Sequence, residues 1–91
     1  MSSKSKSLYR KISAAAQIPK DLSDGAVLVT ATGQEELCIE NYRGIIEYTD
    51  SRLMLQTKNC RLEVLGKNLF ISYYTGEEMK VTGHIEQINY L

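Results

Sequence analysis

The sequence predicts a small, mainly β protein, an antiparallel meander of about seven or eight short strands preceded by one short N-terminal helix. The chain has only 91 residues, enough for one modest core. After residue 26, apolar and polar residues alternate, which is typical of strands with one buried face. Clusters of Gly, Asn, Asp and Ser separate the alternating segments, as turns do. The pattern fits an open sheet, a sandwich or a small barrel.

The chain divides into a basic N-terminal arm, residues 1–20, and a single β domain, residues 21–91. The arm carries a net charge of +5 and the rest of the chain −5, although the whole chain is neutral. Ser7–Gln17 reads as a short helix in which Leu8 and Ile12 share a face with Ala15 or Ala16. Three turns are marginal in water alone, so this helix needs a surface: its own sheet, a membrane or another protein.

The first part of the β domain reads as two strands, a turn and a hairpin. "AVLVTA" from Ala26 reads as a buried strand, and "ELCIE" alternates with Leu37 and Ile39 on one face. "NYRG" reads as a turn with an exposed Tyr and Arg. "IIEYTDSRLML" reads as a hairpin that sets Ile46 and Tyr48 against Leu53 and Leu55.

The segment Arg52–Asn68 contains Arg-Leu-x-x-x-x-Lys-Asn twice, nine residues apart. A turn at Lys58–Asn59 would pair Leu55 with Leu62 and Leu53 with Val64, which keeps the leucines on one face. A second turn at Gly66–Lys67 would continue the meander, with Val64 facing Leu69, Leu62 facing Ile71 and Cys60 facing Tyr73. A loop around Gly76 would then pair Tyr73 with Met79 and Ile71 with Val81.

The residue types give no sign of catalytic or cofactor chemistry. His84 is the only histidine, and Cys38 and Cys60 are isolated, so no nucleophile–base pair or metal-ligand set is indicated. Adjacent glutamates in a strand point to opposite faces, so Glu35–Glu36 and Glu77–Glu78 do not converge on a substrate. No phosphate-binding glycine motif occurs. We therefore expect a protein that is not an enzyme and binds no cofactor or metal.

The partners that composition allows are a protein, a lipid surface or a nucleic acid. Tyr48, Phe70 and Tyr73–Tyr74 could stack on bases in an OB- or Sm-like small β-barrel, which is the alternative function. The acidic β domain disfavours this alternative because phosphate contacts require Lys or Arg on the same face. Exposed sheet edges favour homo-oligomers as a further possibility.

The β segment resembles the YabP/YqfC family of sporulation proteins. The resemblance rests on "IENYRGI" (39–45), "LEVLGKNLFI" (62–71), "GEEMKVTGHI" (76–85) and the terminal "IEQINY", in that order. "IPKDL" after the basic helix resembles the YqfC branch. The resemblance covers about residues 17–91, and the order of its elements carries it because each alone is common hairpin sequence.

This resemblance implies a sporulation factor of endospore-forming Firmicutes that acts in the mother-cell cytoplasm. It implies no enzymatic activity, and it suggests work beside membrane or spore-envelope components. We expect an adaptor that binds a protein partner, with peripheral membrane contact through the arm. The predicted partner-binding residues are Leu8, Arg10, Lys11 and Ile12 in the arm and Asn41, Tyr42 and Arg43 in the "NYRG" turn.

Overall fold

The computed structural model describes residues 25–91, which form six strands. The strands are β1 (Leu28–Thr32), β2 (Glu36–Glu40), β3 (Gly44–Tyr48), β4 (Arg52–Gln56), β5 (Arg61–Tyr74) and β6 (Glu78–Tyr90). They form one antiparallel sheet in the order β1-β2-β6-β5-β4-β3. The prediction of an antiparallel, mainly β fold is therefore confirmed, and the sheet is open, with β1 and β3 at its ends. The predicted helix Ser7–Gln17 lies outside the described residues.

The two long strands, β5 and β6, bend near their middles. Their pairing shifts register between Lys67 and Phe70. Asn68 and Gly83 have positive φ angles of 54° and 133° at this position. A Cβ on Gly66 would collide with the backbone carbonyl of His84, so glycine there permits a close approach of β5 to β6. The bends divide the sheet into two parts.

We call these parts half-sheets A and B. Half-sheet A consists of β1, β2 and the segments 70–74 and 78–82 of the long strands. Half-sheet B consists of β3, β4 and the segments 61–65 and 85–90. The phenol oxygen of Tyr48 in half-sheet B accepts a hydrogen bond from the Ile71 N–H in half-sheet A, at 2.9 Å. The two half-sheets therefore face each other.

The core lies between the half-sheets and takes one face from each. Its buried side chains are Leu37, Ile39, Tyr42, Leu53, Leu55, Leu62, Val64, Leu69, Met79, Val81 and Ile85. Alternation at period 2 places every second residue of these strands inside. Burying one such aliphatic side chain contributes about 1.5–3 kcal/mol, so this cluster is the main source of stability.

The prediction of seven or eight strands is wrong because the second expected turn does not exist. β5 runs without reversal through Gly66–Lys67. The Gly66 N–H instead donates to the Ser51 carbonyl at 3.1 Å, and the neighbour of β5 on its other edge is β6. The expected pairs of Val64 with Leu69, Leu62 with Ile71 and Cys60 with Tyr73 are therefore wrong. Val64 faces Ile88 and Leu62 faces Tyr90.

The first expected turn and several registers are confirmed. Around Lys58–Asn59, Leu55 pairs with Leu62 and Leu53 with Val64. Across the β5–β6 turn, Ile71 pairs with Val81.

Two registers differ from the prediction by one residue because bulges interrupt the strands. Ile45, and not Ile46, faces Leu55, since the pairing of β3 shifts after Ile45. Tyr73 faces Lys80 and not Met79, since a second shift follows Ile71. A bulge adds one residue to one strand, so alternation alone does not locate it.

Candidate functional site

The segment Asn41–Arg43 crosses from half-sheet A to half-sheet B at the end opposite the bends. The Asn41 N–H donates to the Glu77 carbonyl at 2.6 Å, and the Arg43 N–H donates to the Gln56 carbonyl at 2.7 Å. Asn41 has a positive φ of 67°, a conformation that asparagine adopts more readily than most residues. Its side-chain amide donates to the Ala26 carbonyl at 2.9 Å. The "NYRG" segment therefore joins the two half-sheets.

Tyr42 fills the space beneath this crossing. Its side chain is only 7% exposed and belongs to the core, so the expectation of an exposed Tyr is wrong. The phenol donates a hydrogen bond to the Thr75 carbonyl, 33 residues away in the chain. Burial raises the pKa of Tyr42, and the nearby Tyr74 raises this pKa further. Tyr42 is placed to hold the end of the fold together.

Of the three predicted binding residues within 25–91, Arg43 is the one with an exposed side chain. Its side chain is exposed, while Asn41 is half-buried beside Ala26. Leu8, Arg10, Lys11 and Ile12 lie outside the described residues. A partner-binding role for these seven residues stays a prediction.

The outer face of half-sheet B carries a network of paired polar groups. The Arg52 guanidinium donates to Glu63 at 2.7 Å and to Glu47 at 2.5 Å, and the Asn89 amide donates to Glu63 at 2.9 Å. The Asn89 hydrogen bond and then the Arg52 hydrogen bond lower the pKa of Glu63. The hydrogen bond to Glu63 is also the largest cause that raises the pKa of Arg52. Met54, on the same face, is buried at 5% exposure.

The outer face of half-sheet A is different. Since Leu37 and Val81 are fully buried, their strand neighbours point outward. We call this outward surface the acidic aromatic face and define it by Glu36, Cys38, Phe70, Tyr73, Glu78 and Lys80. Its two rings are well exposed, Phe70 at 61% and Tyr73 at 48%. Lys80 pairs with Glu36 at 3.3 Å.

Charge is distributed unevenly between the half-sheets. Residues 26–40 and 70–82 carry five acidic side chains and one basic one, Lys80. Residues 41–69 and 83–91 carry four acidic and five basic side chains. The negative charge of the described chain is therefore concentrated on half-sheet A, beside two exposed aromatic rings. This combination suits a basic, partly apolar ligand.

The residues considered for chemistry lie apart. No group of three or more His, Cys, Asp or Glu side chains among residues 25–91 could hold a metal ion. Cys38 and Cys60 are free, half-buried thiols in β2 and in the β4–β5 turn. The Cys60 sulfur lies 3.3 Å from the Thr57 hydroxyl. His84 is exposed beside the β6 bend.

The sequence contained a signal for the acidic aromatic face that alternation alone did not resolve. Alternation from the buried Leu69 and Val81 places Phe70 and Lys80 on the face opposite the core. The bulge after Ile71 brings Tyr73 onto this face as well, opposite Lys80. Because alternation does not show bulges, the two rings could not be assigned to one surface from the sequence.

Fold and surfaces together define a small antiparallel β protein with one self-paired outer face and one acidic, aromatic outer face. The chain belongs to the YabP family, whose family model matches residues 24–91. This finding confirms the family that the sequence resemblance indicated. The chain is also 29% identical over 77 residues to the uncharacterized protein YqfC of Bacillus subtilis (strain 168). That similarity covers 85% of this chain and 83% of the relative.

The comparison with solved structures gave no significant similarity. Within residues 25–91, no helix has the length and apolar character that crossing a bilayer requires.

Proposed function

We propose that this protein is a non-enzymatic sporulation factor, an adaptor that binds a protein partner during spore formation. The observation that carries the proposal is membership of the YabP family across residues 24–91. The family resemblance implies a role in spore formation, and this implication is the basis of the proposed role. The adaptor works in the mother-cell cytoplasm, at or near a membrane or spore-envelope assembly.

The surfaces support binding as the mode of action. The basic arm offers Arg10 and Lys11 to an anionic partner or lipid surface, with Leu8 and Ile12 as apolar anchors. The exposed Arg43 is a second contact, of a type enriched at binding hot spots.

Capture of a partner from sporulating cells tests this proposal. The full chain with a C-terminal tag is compared with a Leu8→Ser, Ile12→Ser variant and with a chain lacking residues 1–18. We expect both altered chains to retain the β circular-dichroism spectrum and a cooperative thermal transition. We expect each to lose most of the specifically captured protein, because the arm supplies the anchors.

Complementation supplies the deciding control. A strain that lacks the gene should regain spore formation with the full chain and fail to regain it with the chain lacking residues 1–18. Full rescue by a truncated chain that is folded and present at normal abundance would reject the docking role of the arm. Absence of any sporulation defect in the gene-deleted strain would reject the sporulation role itself.

The alternative, a nucleic-acid binder, has one supporting observation in the exposed rings of Phe70 and Tyr73. The carboxylates of Glu36 and Glu78 share that face and would repel phosphates. Fluorescence anisotropy with single-stranded RNA and DNA at low salt discriminates the two functions. We expect no binding, and tight binding that weakens with salt would favour the alternative.

A further inference from the structure

We propose that the acidic aromatic face of half-sheet A is a docking surface for the chain's own N-terminal segment, residues 7–17. The inference rests on the complementary chemistry of this face and that segment, and on the length of chain between them. It goes beyond the proposed function, because it assigns a second binding site for the arm and makes the two sites compete.

The face offers the apolar contact that the segment requires. Phe70 and Tyr73 are 61% and 48% exposed on the outer side of a sheet that is already packed on its inner side. The segment presents Leu8 and Ile12 at a helical spacing of four, with Ala16 four residues further on. A short amphipathic helix gains most of its stability by packing such a stripe on an apolar surface.

Charge favours the same pairing. The arm has a net charge of +5 with no acidic residue, whereas residues 26–40 and 70–82 have five acidic side chains to one basic. Glu36 is already paired with Lys80 at 3.3 Å, so Arg10 and Lys11 of the segment would lie beside Glu78 of the face. On half-sheet B, by contrast, the Glu47 and Glu63 carboxylates already accept hydrogen bonds from Arg52. The face of half-sheet A is therefore the better match for the arm.

The connecting chain is long enough. The described chain begins at Gly25, and the Ala26 carbonyl is held by the Asn41 side chain directly after β2. Glu78 lies at the same end of the sheet, because it pairs with Glu40, the last residue of β2. Seven residues lie between positions 17 and 25, and the eight Cα-to-Cα steps extend to about 27 Å. Gly25 lies beside the Lys58 side chain, and four strands at about 4.8 Å spacing make this half-sheet only about 15 Å wide. The connecting chain is therefore long enough to pass round the edge strand β1 onto the face.

Docking on the face and docking on a partner exclude each other, since both use Leu8 and Ile12. An arm held on half-sheet A is withheld from the partner until the partner competes for it. Changes in the arm and changes in the face should therefore affect partner capture in opposite directions. This opposition separates the inference from the proposed function.

Cys38 provides a built-in reporter of docking, and Cys60 provides the reference. Cys38 lies on the acidic aromatic face between Thr30 of β1 and Lys80 of β6, whereas Cys60 lies in the β4–β5 turn of half-sheet B. The full chain is treated with iodoacetamide at native pH, and alkylation of each cysteine is followed by peptide mass spectrometry. A docked segment covers Cys38 and slows its alkylation, while the alkylation rate of Cys60 stays unchanged.

The decisive comparison is between the natural chain and the Leu8→Ser, Ile12→Ser variant. If the segment is docked nine-tenths of the time, release should speed alkylation of Cys38 about tenfold. Cys60 should react at the same rate in both chains. Raising NaCl to about 1 M should speed the reaction of Cys38 in the natural chain, since salt screens the charge attraction.

Variants of the acidic aromatic face, combined with the arm variant, complete a double-mutant cycle. Phe70→Ser with Tyr73→Ser should release the segment from the other side, and adding it to the arm variant should give no further increase in the Cys38 rate. This face variant should capture more partner, while the arm variant captures less. Tyr90→Ser, an exposed change on half-sheet B, is the matched control and should leave Cys38 unaffected.

Two results would overturn the inference. Equal Cys38 rates in the natural chain and the arm variant, at both low and high salt, would show that the segment does not cover the face. Protection of Cys38 that increases with protein concentration would assign the face to the arm of a second copy. Failure of partner capture alone would count against the proposed function and leave the Cys38 comparison intact.

Discussion

The two half-sheets have the same architecture and opposite surfaces. Each has four strand segments, and each contributes one face to the shared core. On the outer face of half-sheet B, Arg52 and Asn89 both donate hydrogen bonds to Glu63, and Met54 on the same face is buried. On the outer face of half-sheet A, Phe70 and Tyr73 remain exposed among acidic side chains. The polar groups of half-sheet B therefore bond within their own face, whereas the exposed rings of half-sheet A are suited to a ligand.

The crossing at Asn41–Arg43 gives the largest expected effect, because it holds the two half-sheets together. Tyr42→Ala removes a buried ring and should lower the free energy of unfolding by about 3–5 kcal/mol. Tyr42→Phe removes only the hydrogen bond to Thr75 and should cost about 1 kcal/mol. Arg43→Ala, at an exposed neighbour, should change stability by less than about 0.5 kcal/mol. Urea unfolding measures all three, and equal losses for Tyr42→Ala and Arg43→Ala would contradict the account.

A substitution at the bend between the half-sheets should have the second largest effect on stability. Gly66→Ala places a methyl group against the His84 carbonyl and should cost about 1–3 kcal/mol, since backbone atoms must shift. Gly76→Ala is the matched control, because a Cβ there meets nothing within 4 Å. Thermal unfolding followed by circular dichroism measures both. If Gly66→Ala melts at the temperature of the natural chain, the bend is not as closely packed as described.

The network on half-sheet B gives a smaller effect that depends on pH. The pKa of Glu63 is lower in the folded protein, so its ionised form stabilises the fold above the unfolded pKa of about 4.3, and this contribution is lost as pH falls through the folded pKa. Glu63→Gln should therefore lower Tm at pH 7 and have progressively less effect below about pH 4. Glu86→Gln removes the same charge at an exposed site of the same half-sheet and should change Tm little. A Tm deficit of Glu63→Gln that stays constant down to about pH 2 would contradict the network.

The acidic aromatic face gives the smallest effect on stability. In the Leu8→Ser, Ile12→Ser background, where the N-terminal segment is already released, Phe70→Ser with Tyr73→Ser should change the free energy of unfolding by less than about 0.5 kcal/mol per residue, because both rings are exposed. Urea unfolding checks this value. A large loss of stability would mean that the rings support the fold, and the contrast between the two outer faces would disappear.

The sequence was sufficient for the features set by local alternation. The strand "ELCIE" matches β2, and the pairs Leu53–Val64 and Leu55–Leu62 follow from keeping leucines on one side of a hairpin. The family was also accessible from the order of short elements along the chain.

The features that depend on contacts between distant segments of the chain could not be predicted from the sequence. Gly66 looked like a turn residue, but it permits close approach to β6, which comes from the other end of the sequence. Tyr42 stands between Asn41 and Arg43 and looked exposed, yet its hydrogen-bond partner lies 33 residues away. Alternation shows that Phe70 points away from the core, but it does not show what lies beside it. Each error reflects a contact between segments that are remote in the chain.

We infer that the N-terminal segment binds the outer face of half-sheet A and not that of half-sheet B. Amide chemical shifts of the ¹⁵N-labelled full chain distinguish the two faces directly. Spectra of the natural chain and of the Leu8→Ser, Ile12→Ser variant are compared residue by residue. We expect the amide signals of Phe70, Tyr73 and Lys80 to shift and those of Glu63 and Asn89 to stay unchanged. Unchanged amides on half-sheet A, or shifts centred on Glu63 and Asn89, would contradict it.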